Sequence, residues 1–309
     1  MQIHWTSSAQ RLGVAAGSLG LACGLLVAPA SVWAAPPTGP VPSVYKPLSS
    51  SAPAPSITGL DRAIGKLTQT ASLGNFSMLV VDPVSEKPVF SDQVNKSRTP
   101  ASVSKLLTAA AALSALGPNT RLVTRATLAG SDLYLVGGGD PLLRKVKGED
   151  SLKALALDTI RALKARKVTN VRLFFDDSLF TGPTLGPGWK SSFPRAGIAA
   201  PVSALRVGGA RKSPRSFARV SNPAKQAGQL FAKRLKKAGI VVSQVKRAQT
   251  PSGSTQLASV FSKPVSTIVE VMLRESDNDA AEVLAHLVGK KIVGEGSFSG
   301  GARATRLVL

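Results

Sequence analysis

Pro100-Ala-Ser-Val-Ser-Lys-Leu-Leu-Thr108 and Met272-Leu-Arg-Glu-Ser-Asp-Asn278 are the two stretches that decide the fold. The first opens a helical run over 99–116, with Leu106, Ala110 and Leu113 expected on its apolar face and Gly117-Pro118 ending it. Ser102 and Lys105 stand three residues apart, which places their Cβ atoms roughly 5–6 Å apart on one helix face. At a helix N-terminus the backbone N–H of Ser102 can face a developing oxyanion, helped by the positive end of the helix dipole. A serine hydroxyl is a weak nucleophile until a base removes its proton. Lys105 serves as that base only where burial and neighbouring cations favour the neutral amine. The second stretch places the Ser276 hydroxyl two residues before the Asn278 amide, 174 positions after Ser102. A hydroxyl can pass a proton to a leaving group, and an amide offers one acceptor and two donors to a substrate amide. Taken singly, S-x-x-K and S-x-N arise by chance in a serine-rich chain.

Outward from the first stretch, Asn75-Phe-Ser-Met-Leu-Val-Val-Asp82 and Lys87-Pro-Val-Phe-Ser91 flank a turn and predict a β-hairpin. Beyond the helix, strand patterns at 133–136 and 171–175 alternate with helical ones at 151–166 and 223–238. A helix at Val265–Arg274 then leads into Ser276-Asp-Asn, and another continues over 280–288. This order predicts an α/β insertion at 122–263 between two parts of one catalytic domain, 57–121 and 264–309. Gly137-Gly-Gly139 is a tight turn after a strand: no Lys-Ser/Thr follows to make a phosphate loop, and Asp140 would oppose a phosphate. Lys237-Ala-Gly239 closes a helix.

Toward the N-terminus, Arg11 precedes an uncharged run over 12–33 and then Ala34-Ala35-Pro36. The run fits a secretory signal peptide over 1–34 or an uncleaved anchor, and its Gly, Ala and Ser content favours cleavage. The protein is thus expected to be exported, to the periplasm or cell wall. Residues 35–56, rich in Pro, Ser and Ala, read as a linker. Cys23 is the only cysteine, so the mature chain has no disulfide, and a lipoprotein site there is disfavoured by Gly20. Once His4 is removed, His286 remains as the only histidine, which argues against a zinc site and a Ser-His-Asp triad. His286 is expected to be a partly exposed helix residue.

The net charge of +22 is unevenly spread: no Asp or Glu occurs between Ser178 and Val269, where fifteen Lys and Arg stand. Such a field attracts polyanions. For an exported chain these are anionic wall polymers or a lipid surface. Nucleic acid is not expected, given the location and an aromatic content of 5%.

Four further segments occur in order between the two stretches: Leu135-Val-Gly-Gly-Gly-Asp-Pro-Leu142, Phe175-Asp-Asp-Ser-Leu-Phe180, Gly186-Pro-Gly-Trp189 and Ala199-Ala-Pro-Val-Ser-Ala-Leu205. Together the six resemble the D-alanyl-D-alanine carboxypeptidase/endopeptidase family of low-molecular-mass (class C) penicillin-binding proteins, from Leu60 onward. The resemblance implies an α+β fold, a β-lactamase/transpeptidase-like domain with an antiparallel sheet flanked by helices and an inserted domain. It implies Ser102 as the acylated nucleophile, Lys105 as its base, and Ser276 and Asn278 as the second motif. It also matches Asp176, with Asp177 as its rival, to a carboxylate that meets the free amine of a peptidoglycan stem peptide. Stem peptides are the implied substrates, β-lactams covalent inhibitors, and no cofactor or metal is implied. The family's third motif, K-T-G, is absent from the 31 residues after Asn278. The catalytic domain is therefore expected to be C-terminally incomplete and the chain to acylate slowly or not at all. A non-catalytic wall-binding scaffold and a β-lactamase are the alternatives. The wide separation of the motifs argues against the latter.

Overall fold

The computed structural model describes residues 56–70, 72 and 74–309; the expected signal segment and all but the last residue of the linker lie outside the described residues. The chain opens with helix α1 (Ile57–Thr68), capped by the Ser56 hydroxyl accepting from Gly59 N at 3.0 Å. The hairpin follows as β1 (Met78–Val81) and β2 (Pro88–Asp92), antiparallel and forming a sheet of their own. Leu79 remains 55% exposed on it.

A 3-10 turn (Ala101–Ser104) runs into α2 (Lys105–Leu116), and then β3 (Arg121–Ala129) and β4 (Asp132–Val136) pair antiparallel. Helix α3 (Leu152–Ala165) crosses over to β5 (Asn170–Asp176), which runs parallel to β4. After the short α4 (Phe193–Ala196) and a long loop come α5 (Pro223–Lys237), β6 (Val241–Arg247) and β7 (Thr255–Pro264). The five strands lie in the order β6-β5-β4-β3-β7, a mixed sheet in which β7 pairs antiparallel with β3. The chain then folds into α6 (Val265–Arg274), α7 (Asn278–Val293) and α8 (Phe298–Val308).

Local chemistry accounts for these elements. Ser151 caps α3 by accepting from Ala154 N at 3.2 Å, and α3 buries Leu152, Leu155, Ile160 and Leu163 at helical spacing. Asn222 caps α5 ahead of Pro223, whose fixed φ suits a first helical position. These two helices pack with Leu133, Leu135, Leu173 and Phe175 of the central strands in one apolar cluster. A second cluster joins α2, α6, α7 and α8 through Ala109, Ala112, Ile268, Met272, Leu284 and Val288. Each buried Leu, Ile or Met side chain contributes about 1.5–3 kcal/mol.

The two clusters are joined where β7 turns directly into α6: Val265 N donates to Thr120 O at 2.9 Å and Ser266 N to Pro118 O at 2.9 Å. Gly138 follows β4 and crosses the backbone of Val123 so closely that a Cβ would lie 2.0 Å from the Val123 carbonyl oxygen. Glycine is required there by contact. The fold is α+β. Among the described residues no helix is long and apolar enough to cross a membrane.

Candidate active site

Ser102 lies in the 3-10 turn, and the α-helix begins only at Lys105. The chain enters this turn through Ala101, whose φ of +45° is left-handed, a conformation that costs a non-glycine residue about 1–2 kcal/mol. The buried face of α2 is turned by one residue, about 100°, from the expected one, and of the three residues expected to face the core only Leu113 packs against it, partly buried. Lys105, Ala109 and Ala112 point inward, whereas Leu106 is 56% exposed and Ala110 is exposed. The run Ala109–Ala112 offers apolar surface all round, so burial follows the small side chains, which let α7 approach.

Across from this turn, α6 ends at Arg274 and the chain reverses through Ser276, again left-handed at φ +51°. Asp277 N donates to Met272 O at 2.9 Å, and the Asp277 carboxylate caps α7 by accepting from Ala280 N at 3.0 Å. Asn278 is thus the first residue of α7. The strained turn presents the Ser276 hydroxyl beside Ser102.

Four side chains expected from the sequence converge here. Lys105 Nζ, 6% exposed, donates to Asn278 Oδ1 at 2.7 Å, to Ser102 Oγ at 3.1 Å and to Ser276 Oγ at 3.4 Å. Ser276 Oγ in turn donates to Ser102 Oγ at 3.0 Å. The two serines therefore share one amine, with a direct hydroxyl path between them. Nucleophile, base and second hydroxyl lie within hydrogen-bond reach, as nucleophilic catalysis requires.

Ser102, Lys105 and Asn278 border a cavity of about 560 Å³, also lined by Thr108, Trp189, Phe193, Ile198 and Glu282. Glu282, one helical turn beyond Asn278, has a carboxyl raised above its ordinary range, mainly by burial; Lys105 opposes the shift and Asp279 adds to it. Glu282 was not expected from the sequence, since only the helical spacing from Asn278 points to it.

A second group absent from the sequence reading fixes the wall of the cavity. Asn278 Nδ2 donates to Ile198 O at 2.9 Å, and the next residue, Asp279, accepts from Ala200 N at 2.6 Å. Asp279 is 3% exposed and pairs with Arg206 at 3.0 Å and Arg219 at 3.4 Å. Consecutive residues of α7 therefore grip the 198–200 segment, and two guanidinium groups hold the grip in place. Nothing local in the sequence marks this triad, whose members are up to 73 positions apart.

Asp176 stands apart from this cavity. Its oxygens accept from Ser178 N at 3.0 Å and Thr250 N at 2.7 Å. Burial pushes its carboxyl up, but these hydrogen bonds outweigh it and hold the group below its ordinary range. Asp177 pairs with Arg247 at 2.6 Å, and both aspartates line a separate recess of about 330 Å³. His286 corrects an expectation: it is 1% exposed, not partly exposed. It packs 4.7 Å from the Phe298 ring and 5.0 Å from that of Phe180, and burial holds it below the usual histidine range.

The model of the D-Ala-D-Ala carboxypeptidase 3 (S13) family matches residues 60–216 and 208–309. A carboxypeptidase of Mycobacterium tuberculosis is 32% identical over 282 residues, which cover 87% of this chain and 60% of that protein. Carboxypeptidase DacB of Mycolicibacterium smegmatis is 32% identical over 288 residues, 89% of this chain and 61% of that one. The chain thus spans about 60% of the length of these curated relatives. Penicillin binding protein 4 of Haemophilus influenzae superposes with a TM-score of 0.63 at 19% identity, over 79% of this chain and 69% of that one, a likeness of fold. With a family model matched along nearly all of the described residues, the chain belongs to the D-Ala-D-Ala carboxypeptidase 3 (S13) family.

Proposed function

We propose that the protein is a serine-type D-alanyl-D-alanine carboxypeptidase that acts on peptidoglycan stem peptides through an acyl-serine intermediate. The observation that carries the reading is the convergence of Ser102, Ser276 and Asn278 within 3.4 Å of the Lys105 amine. In its neutral form, Lys105 takes the Ser102 proton as Oγ attacks the carbonyl carbon of the penultimate D-alanine. The C–N bond then breaks, and the leaving amine receives its proton from Lys105 by way of Ser276 Oγ. Water attacks the ester, and the same groups return the proton to Ser102. Asn278 holds the amine in register and offers its amide to the substrate backbone.

β-Lactams would acylate the same oxygen, and the work is proposed to take place outside the cytoplasm, after export. K-T-G does not occur among the 309 residues, and acylation by this chain is proposed to be slow. The catalytic parts are proposed as 57–121 and 264–309, with 122–263 inserted. Asp176, with Asp177 as its rival, lines another recess and is proposed to meet the free amine of the stem peptide, away from the scissile bond. The test is release of D-alanine from a peptide ending in D-Ala-D-Ala. Slow release by the native chain and none by Ser102→Ala is expected. Equal release by both would overturn the proposal.

A further inference from the structure

The acid-free tract found in the sequence has a definite shape in the fold. Helix α5 exposes Lys225, Gln229, Lys233, Lys236 and Lys237 along one side, while Ala224, Ala227, Phe231 and Leu235 face the core. From Lys225 to Lys237 the stripe runs about 18 Å at 1.5 Å per residue. Beside it lies β6, the outer strand of the sheet, with Lys246 and Arg247 exposed near its end. Between helix and strand is a groove of about 520 Å³, lined by Gln229, Ala232, Lys233, Lys236, Lys237 and Val245.

The arginines and lysines elsewhere in the tract are partly neutralised: Arg206 and Arg219 by Asp279, Arg247 by Asp177, and Lys263 by Asp150. None of the ion pairs among the described residues reaches the lysines of α5. Lysines three and four residues apart on a helix have Cβ atoms about 5–6 Å apart and so place their ammonium groups in a row along it. That spacing suits successive charges of a linear chain better than a single small anion.

We propose that the α5–β6 groove binds a linear phosphodiester polymer. Charge complementarity selects a polyanion, and the groove's length selects a strand of it. No aromatic side chain lines the groove to stack a base, so the polymer recognised has no nucleobases. The exposed lysines form a single row along one helix, which fits a strand better than a broad bilayer surface. This binding is separate from the catalytic reading and involves none of its residues.

The test is fluorescence anisotropy with labelled poly(glycerol phosphate), at about 50 and about 200 mM salt, where phosphate contacts lose affinity steeply. Two triple variants of equal net charge are compared. Lys233→Gln/Lys236→Gln/Lys237→Gln removes the groove charge, and Lys96→Gln/Lys147→Gln/Lys153→Gln removes exposed charge elsewhere. The expected result is at least about a tenfold loss for the groove variant at low salt, with a shallower salt dependence, and less than about twofold for the control. The single Lys236→Gln variant, which changes one exposed side chain, should lose about two- to threefold. Equal losses in both triple variants would overturn the proposal, as would no measurable binding by the native chain. Tighter binding to single-stranded DNA or to phosphatidylglycerol vesicles than to the polymer would also overturn it.

Discussion

Lys105 Nζ has three oxygen neighbours, and each holds it in a different relation to the chemistry. In the proposed mechanism Ser102 Oγ is the atom it deprotonates, Ser276 Oγ the atom through which the proton leaves, and Asn278 Oδ1 the anchor that keeps it between them. Replacing Asn278 by Ala removes the shortest of these bonds and frees the amine to turn away. Acylation by a β-lactam should fall about 100-fold, the usual size of a general acid–base contribution, while the melting temperature changes little. The four residues were legible because S-x-x-K and S-x-N encode their spacing locally. Asp279, Arg206 and Arg219 were not, because a buried ion pair between distant segments leaves no periodic trace. Asp279→Ala would leave two buried guanidinium groups without their carboxylate, and a loss of about 3–5 kcal/mol in urea unfolding is expected.

At the scale of elements, the site depends on two left-handed residues at element junctions, Ala101 before α2 and Ser276 before α7. The helix positions themselves were readable from caps and breakers, such as Gly117 after α2 and Pro223 at the start of α5. The buried face of α2 was not. Its run of alanine and leucine has no polar side to exclude, so packing against α7 chose the face and turned Leu106 outward. His286 was misread for a related reason: its aromatic neighbours, Phe180 and Phe298, come from other segments. The close crossing at Gly138 gives a sharp test of the β4 exit. Gly138→Ala forces the Val123 carbonyl aside and should cost about 3 kcal/mol in chemical denaturation.

Over the whole molecule, the mixed sheet and the helical layer meet near Asp140, which follows the glycine turn. Burial pushes its carboxyl up to about 6, although Leu142 N donates to it at 2.8 Å. A raised carboxyl favours the folded state when protonated, so this contribution is full below about pH 4 and is lost as pH rises through about 6. The loss amounts to about 3 kcal/mol. Asp140→Asn, which keeps the acceptor and cannot ionise, should be more stable than the native chain at pH 7, and its urea midpoint should rise more, or fall less, than the native one between pH 4 and 7. A native chain whose urea midpoint rises over that interval no less than the variant's would contradict this assignment.

Ser102 is proposed as the nucleophile of the converged site. Intact-mass and peptide-level mass spectrometry after prolonged incubation with benzylpenicillin tests it most directly. A single penicilloyl adduct, formed slowly and located on Ser102, is expected on the native chain, and none on the Ser102→Ala chain. An adduct located elsewhere, an adduct that survives Ser102→Ala, or no adduct on the native chain would contradict it.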